Sequence, residues 1–163
     1  MCIRDSYRQH AGRFYDVSVG SATDFPSNAR GVVHADLDND GDLDLVVNNY
    51  LGDAVVLRNN LQRNNWIRLR LIGTACSRDA IGARVVLHTN AGSQLRTVRG
   101  GSGFLSKEDN SVHFGLGEQT HIDKIEISWP SGLHQVITNL AVNKQHEITE
   151  ARNRDGKEQP IGN

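Results

Sequence analysis

Apolar residues recur at every second position through most of this chain, and no long stretch carries a helical stripe. Ile67, Leu69 and Leu71 alternate with Arg68 and Arg70, and Ile125, Ile127 and Trp129 alternate with Lys124, Glu126 and Ser128. A strand sends successive side chains to opposite faces, so this period describes sheets with one dry and one wet side. The pattern predicts an all-β fold. Further strands are expected at 15–19, 32–35, 45–48, 55–57, 84–88, 95–99, 112–116, 135–138 and 146–149. Asn90-Ala91-Gly92, Gly115-Leu116-Gly117 and Pro130-Ser131-Gly132 supply turn residues between them, the last opening a hairpin after Trp129.

Between two of the β-branched runs lies Asp36-Leu37-Asp38-Asn39-Asp40-Gly41-Asp42-Leu43-Asp44. Hard cations such as Ca2+ take about six to eight oxygen ligands, and alternate aspartates in a tight turn aim carboxylates inward while glycine permits the bend. Asp36, Asp38 and Asp40 fall at positions 1, 3 and 5, and Gly41 falls at position 6. Asp42 would offer its backbone carbonyl at position 7, and Asp44 at position 9 would close the sphere. An EF-hand needs a bidentate Glu at position 12, where this chain has Val47, and the β-branched flanks suit strands rather than helices. Mg2+ fits less well, because it favours few carboxylates, retained waters and often a phosphate. The competing reading is a solvated Asp/Gly turn, since these residues dominate turns for local backbone reasons. Five carboxylates that repel one another favour the metal.

The 163 residues, 37% of them hydrophobic, are enough to bury a core in one domain or two small ones. A formal net charge of −1, with both signs mixed along the chain, gives no electrostatic case for nucleic acid or an anionic membrane. No apolar run approaches the roughly 20 residues of a membrane helix, so membrane insertion is not expected. Cys2 and Cys76 form neither a disulfide framework nor a metal pair, and a free Cys76 is awkward outside the cell.

The chain changes character at Asn59-Asn60-Leu61-Gln62-Arg63-Asn64-Asn65, a polar stretch that interrupts the alternation. Before it, about four short strands surround one acidic loop, a unit of the kind that buries its faces against neighbours. Phe14-Tyr15-Asp16-Val17-Ser18, Gly31, the loop through Asp44, Leu45-Val46-Val47-Asn48-Asn49 and Leu57-Arg58-Asn59 resemble an FG-GAP or VCBS repeat. That resemblance implies a propeller blade whose aspartate loop binds calcium, with further blades upstream.

After the boundary come Asn65-Trp66-Ile67-Arg68-Leu69, Ala80-Ile81-Gly82-Ala83-Arg84-Val85, Gly101-Ser102-Gly103-Phe104-Leu105-Ser106, His113-Phe114-Gly115-Leu116-Gly117 and Trp129-Pro130-Ser131-Gly132. These resemble an ASPIC/UnbV domain, which follows FG-GAP repeats in that family. The resemblance implies a β-rich module without assigned catalytic residues in an extracellular or cell-surface setting. The expected organisation is a truncated or non-native start over 1–13, the repeat over 14–60, the ASPIC/UnbV-like domain over 61–150 and a disordered tail over 151–163. The expected fold is one propeller-blade-like repeat followed by a small antiparallel β-sandwich or barrel-like domain.

Catalytic patterns fail on spacing. Around Ser102 a nucleophile elbow would need glycine where Phe104 stands, and Ser106-Lys107 neither follows glycine nor opens a helix as a phosphate loop does. The seven histidines are scattered without a zinc-binding pattern. Trp66 and Trp129 are expected in the core, and Arg68, Arg70, Arg96 and Arg99 on the wet side of strands. The function expected from sequence is a calcium-binding, non-catalytic extracellular interaction or adhesion module with a protein or glycan partner. The rival is a scaffold fragment of a secreted carbohydrate-active enzyme, for which Glu108, Asp109, Glu118, Asp123 and Glu126 are available acids.

Overall fold

The computed structural model describes residues 7–20, 23, 28–60, 64–101, 103–104 and 106–152. The described residues are all strand, turn and loop, in twelve strands and without a helix: β1 (Tyr7–His10), β2 (Arg13–Asp16), β3 (Ala29–Ala35), β4 (Asp44–Asn49), β5 (Val55–Leu57), β6 (Asn65–Ile72), β7 (Arg84–Thr89), β8 (Gly92–Thr97), β9 (Val112–Gly117), β10 (Lys124–Ser128), β11 (His134–Ile137) and β12 (Lys144–Thr149). Among the described residues no helix is therefore long and apolar enough to cross a membrane, which says nothing of membrane barrels built of strands. The chain divides into two compact units, Met1–Leu61 with Gly101–Glu108, and Gln62–Gly100 with Asp109–Asn163.

The first unit holds a β1–β2 hairpin and a three-stranded antiparallel sheet in the order β3-β4-β5. Strand β2 ends at Asp16, short of the expected 15–19. The Asp16 carboxylate accepts bonds from the Ser18 amide (2.9 Å) and hydroxyl (2.6 Å), an Asx turn that takes the backbone out of the extended state. In the larger sheet, cross-strand register puts Val33, Val46 and Val56 on one face and Val32, Val47 and Val55 on the other. Val47 is buried, whereas Val32 and Val56 are 51% and 58% exposed. Phe104 and Ser106 lie beside β3, where a Cβ on Gly31 would stand 2.5 Å from Ser106 Oγ and 3.3 Å from the Phe104 carbonyl oxygen. Glycine is what permits that approach. Further along β3, His34 Nδ1 meets Glu108 Oε1 at 2.8 Å.

The second unit is a sandwich of two sheets, ordered β11-β10-β7-β8 and β12-β6-β9. Alternation decides its core. Ile67, Leu69 and Leu71 of β6, Val85 and Leu87 of β7, Val112, Phe114 and Leu116 of β9, Ile125 and Ile127 of β10, and Ile148 of β12 all point inward and form one cluster. Val98, just past β8, leaves the ladder and bonds its amide to the Ala83 carbonyl at 2.9 Å, which buries its side chain in the same core.

The two sheets are not joined into a closed barrel among the described residues, and one of them is not wholly antiparallel, since β12 runs parallel to β6. Asn143 explains that pairing. In the left-handed region at φ 58°, it donates its amide to the Trp66 carbonyl (2.6 Å) and accepts the Trp66 amide on Oδ1 (3.0 Å), so β12 starts beside the start of β6. The expected hairpin after Trp129 is present, with the Gly132 amide bonded to the Trp129 carbonyl at 2.9 Å and Gly132 at φ 91°. Residues 153–163 of the expected tail lie outside the described residues. So do Met1–Ser6 of the expected truncated start, whose remaining residues contribute β1.

Candidate metal centre

The acidic loop connects β3 to β4, with Ala35 and Asp44 as the last paired residues of the ladder. Two positions bend it sharply: Asn39 at φ 58° and Gly41 at φ 96°. Asparagine tolerates this region through its short polar side chain, and glycine enters it without steric cost.

Oxygens of Asp36, Asp38 and Asp40 lie within 4.8 Å of one another, the one such acidic group among the described residues. Backbone amides hold them there. Asp36, 8% exposed, accepts the Asp40 amide on Oδ1 and the Gly41 amide on Oδ2, both at 3.1 Å. Asp38 Oδ1 accepts the Asp40 amide at 3.3 Å, and Asp40 Oδ1 accepts the Asp42 amide at 2.9 Å. Three carboxylates so close repel one another, and amide dipoles alone offset only part of that repulsion.

Asp42 and Asp44 do not join this group. The 2% exposed Asp44 sits at the base of the loop, where Oδ2 accepts the Leu37 amide (3.0 Å) and Oδ1 the Asn59 amide (2.8 Å). It thereby ties the loop entrance to the chain leaving β5. That second tie delivers a group the sequence pattern does not single out, because Arg58 stands next to Asn59 and its guanidinium forms an ion pair with Asp38 Oδ2. Position alone was the available signal, one residue past the last residue of β5.

The donor set is all carboxylate oxygen, with no nitrogen or thiolate, which suits a hard cation and not zinc or copper. Asp36, Asp38 and Asp40 are the residues that would hold it. Three carboxylates leave room for carbonyl and water oxygens in a Ca2+ sphere.

Of the other candidate acids, Glu108, Asp109, Asp123 and Glu126 have partners away from the loop carboxylates. Ser102 lies outside the described residues. Glu126 meets Lys124 Nζ at 2.5 Å and His88 Nε2 at 3.5 Å, and the Lys124 bond, outweighing partial burial, holds its carboxyl below the usual range. Asp109 accepts the Ser111 hydroxyl at 2.6 Å, and Asp123 faces His121 at 3.8 Å. Trp129 is buried in the core and donates Nε1–H to Gln135 Oε1 at 3.0 Å, as a buried indole must. Trp66 departs from its expected core position. Its register places it on the outer face of β6, where its ring stacks on His113 (centroids 5.8 Å apart) and the Arg68 guanidinium lies 5.8 Å from its centroid.

Known proteins resemble this chain over most of its length. Cartilage acidic protein 1 of Homo sapiens is 34% identical over 142 residues, covering 83% of this chain and 21% of that protein. Its Xenopus tropicalis counterpart is 35% identical over 137 residues, covering 80% and 21%. The chain thus spans about a fifth of the length of these relatives. Residues 73–155, just over half of the chain and nearly all of the second unit from the end of β6 onward, match the family described as ASPIC and UnbV, and the chain belongs to that family.

Proposed function

We propose that the chain is a calcium-binding, non-catalytic interaction or adhesion module that works outside the cell as part of a larger propeller protein. The observation that carries this reading is the convergence of Asp36, Asp38 and Asp40 within 4.8 Å on a loop already shaped by its own amides. Bound Ca2+ would supply positive charge shared by all three carboxylates, where Arg58 pairs with Asp38 alone, and would fix the β3–β4 connection. Its role is structural. Extracellular calcium modules work at about 10⁻⁴ to 10⁻³ M, a range that keeps such a site filled outside the cell and empty in the cytosol.

The residues from 14 to 60 act in this reading as one FG-GAP or VCBS blade. Supporting it, the β3-β4-β5 sheet carries valines on both faces, whereas a sheet with one solvated side has apolar residues on one face only. A small sheet with two apolar faces is suited to stacking between neighbours of its own kind, as repeats do. The relatives' name associates them with cartilage, which fits an extracellular setting for this chain too. The partner is a protein or a glycan.

Thermal melts test the metal. With calcium in excess, the wild-type transition should rise relative to the chelated sample. Asp38→Ala and Asp40→Ala should melt alike in both conditions. Identical wild-type curves with calcium and with chelator would remove the basis of the proposal.

A further inference from the structure

Glu150, immediately after β12, is a charged side chain with only 2% of its surface exposed. Its Oε2 accepts three successive backbone amides, from Thr74 (2.7 Å), Ala75 (2.8 Å) and Cys76 (3.1 Å), and its Oε1 accepts the Ser131 hydroxyl. Consecutive amides converging on one point form an anion-binding nest. Here the anion comes from the chain itself. Its backbone takes part as well, since the Thr74 hydroxyl donates to the Glu150 carbonyl at 3.2 Å and the Glu150 amide to the Ile72 carbonyl at 2.8 Å. One side chain therefore gathers the loop after β6, the β10–β11 turn and the end of β12.

Inside that loop sits Cys76, the free cysteine among the described residues. It is half-buried and packs against the sandwich core. The backbone of Gly73 comes so close that a Cβ there would lie 2.7 Å from Cys76 Sγ. The thiol points at the Ser77 carbonyl (3.6 Å), and the Gly73 amide bonds to the Arg78 carbonyl at 3.0 Å to close the loop. Burial first, and then the neighbouring Glu150 carboxylate, push the thiol pKa up, so the reactive thiolate is disfavoured.

We infer that Glu150 is a lock: its carboxylate fills the Thr74–Cys76 nest and, by holding that loop shut beside itself, keeps the Cys76 thiol unreactive. An unpaired cysteine in an oxidising setting is a liability for mixed disulfides and oxidation. The lock removes that liability without removing the cysteine.

Alkylation by iodoacetamide reads the lock directly, because the thiolate sulfur bonds carbon, iodide leaves and the thiol proton passes to buffer. Peptide-resolved mass spectrometry separates Cys76 from Cys2 on the full chain. At pH 8, Cys76 of the native wild type should label at least about tenfold more slowly than in the urea-unfolded chain, where the thiol is no longer packed against the core. Glu150→Ala should close most of that gap while tryptophan fluorescence from Trp66 and Trp129 reports a folded sandwich, and added formate should slow labelling again by refilling the nest. Glu150→Gln, isosteric but uncharged, should label faster than wild type and should not respond to formate. A wild-type rate equal to that of the unfolded chain would overturn the inference, as would a folded Glu150→Ala chain that labels as slowly as wild type. Should Glu150→Ala fail to fold, the rate of Glu150→Gln decides the matter, an unchanged rate overturning the lock.

Discussion

The sandwich and the acidic-loop unit are both built of short strands, yet they solve burial in opposite ways. In the sandwich, alternation is strict: Ile67, Leu69 and Leu71 face inward while Arg68 and Arg70 do not, and the facing sheets enclose one cluster. In the β3-β4-β5 sheet, valines occupy both faces and two of them stay largely exposed. The first is a core; the second is a sheet organised around its loop. The difference teaches that local order in the first unit rests on polar ties, with Asp36 and Asp44 each accepting two amides, more than on apolar packing.

Truncating one residue on each side breaks this comparison most sharply. Phe114→Ala, at a fully buried position, should cost the sandwich about 3–5 kcal/mol in urea unfolding followed by far-UV circular dichroism. Val56→Ala, on an exposed side chain, should change stability by no more than about 0.5 kcal/mol in the same assay. Comparable losses at both sites would contradict the contrast.

Glu150 gives the next largest effect. Burial raises its pKa, but the Ser131 hydroxyl and the Ala75, Thr74 and Cys76 amides outweigh burial and bring it from 4.5 down to about 2. A carboxyl depressed by folding stabilises the protein fully above its unfolded value, and that contribution is lost as pH falls from about 4.5 towards about 2. A shift of this size is worth about 3 kcal/mol. Unfolding free energies measured between pH 7 and pH 2 should show that loss in wild type. Glu150→Gln should be less stable at pH 7 and should lose less on acidification.

These two effects also separate what was legible in the sequence from what was not. Alternation placed Ile67, Leu69, Leu71, Ile125, Ile127 and Trp129 inward, because a period of two maps directly onto sheet faces. It misplaced Trp66, whose size suggests the core but whose register, one residue before Ile67, sends it outward. The parallel pairing of β12 with β6 was hidden, since it depends on the left-handed backbone of Asn143 and contacts more than seventy residues away in sequence. Glu150 and Arg58 were hidden for the same reason: a lone acid or base has no pattern, and its partners come from distant turns. In the acidic loop, spacing brought Asp36, Asp38 and Asp40 together. It did not reveal that Asp44 turns both its oxygens to backbone amides.

Smaller effects sharpen the account of the loop. Calcium at about ten times its dissociation constant should add about 1.4 kcal/mol to the unit that binds it. Arg58→Gln tests the ion pair on Asp38. The guanidinium competes with an incoming cation for the same carboxylate, and it is largely exposed and screened, so its removal should tighten Ca2+ binding by about two- to fivefold. A weaker site in Arg58→Gln would mean that the arginine positions Asp38 for the metal.

Titration calorimetry of the purified chain with CaCl2 decides whether the acidic loop is a calcium site. Uptake near one equivalent per chain is expected, abolished in Asp38→Ala and Asp40→Ala. A folded chain that takes up no Ca2+ at millimolar concentration, or binds it equally well in those variants, would contradict it.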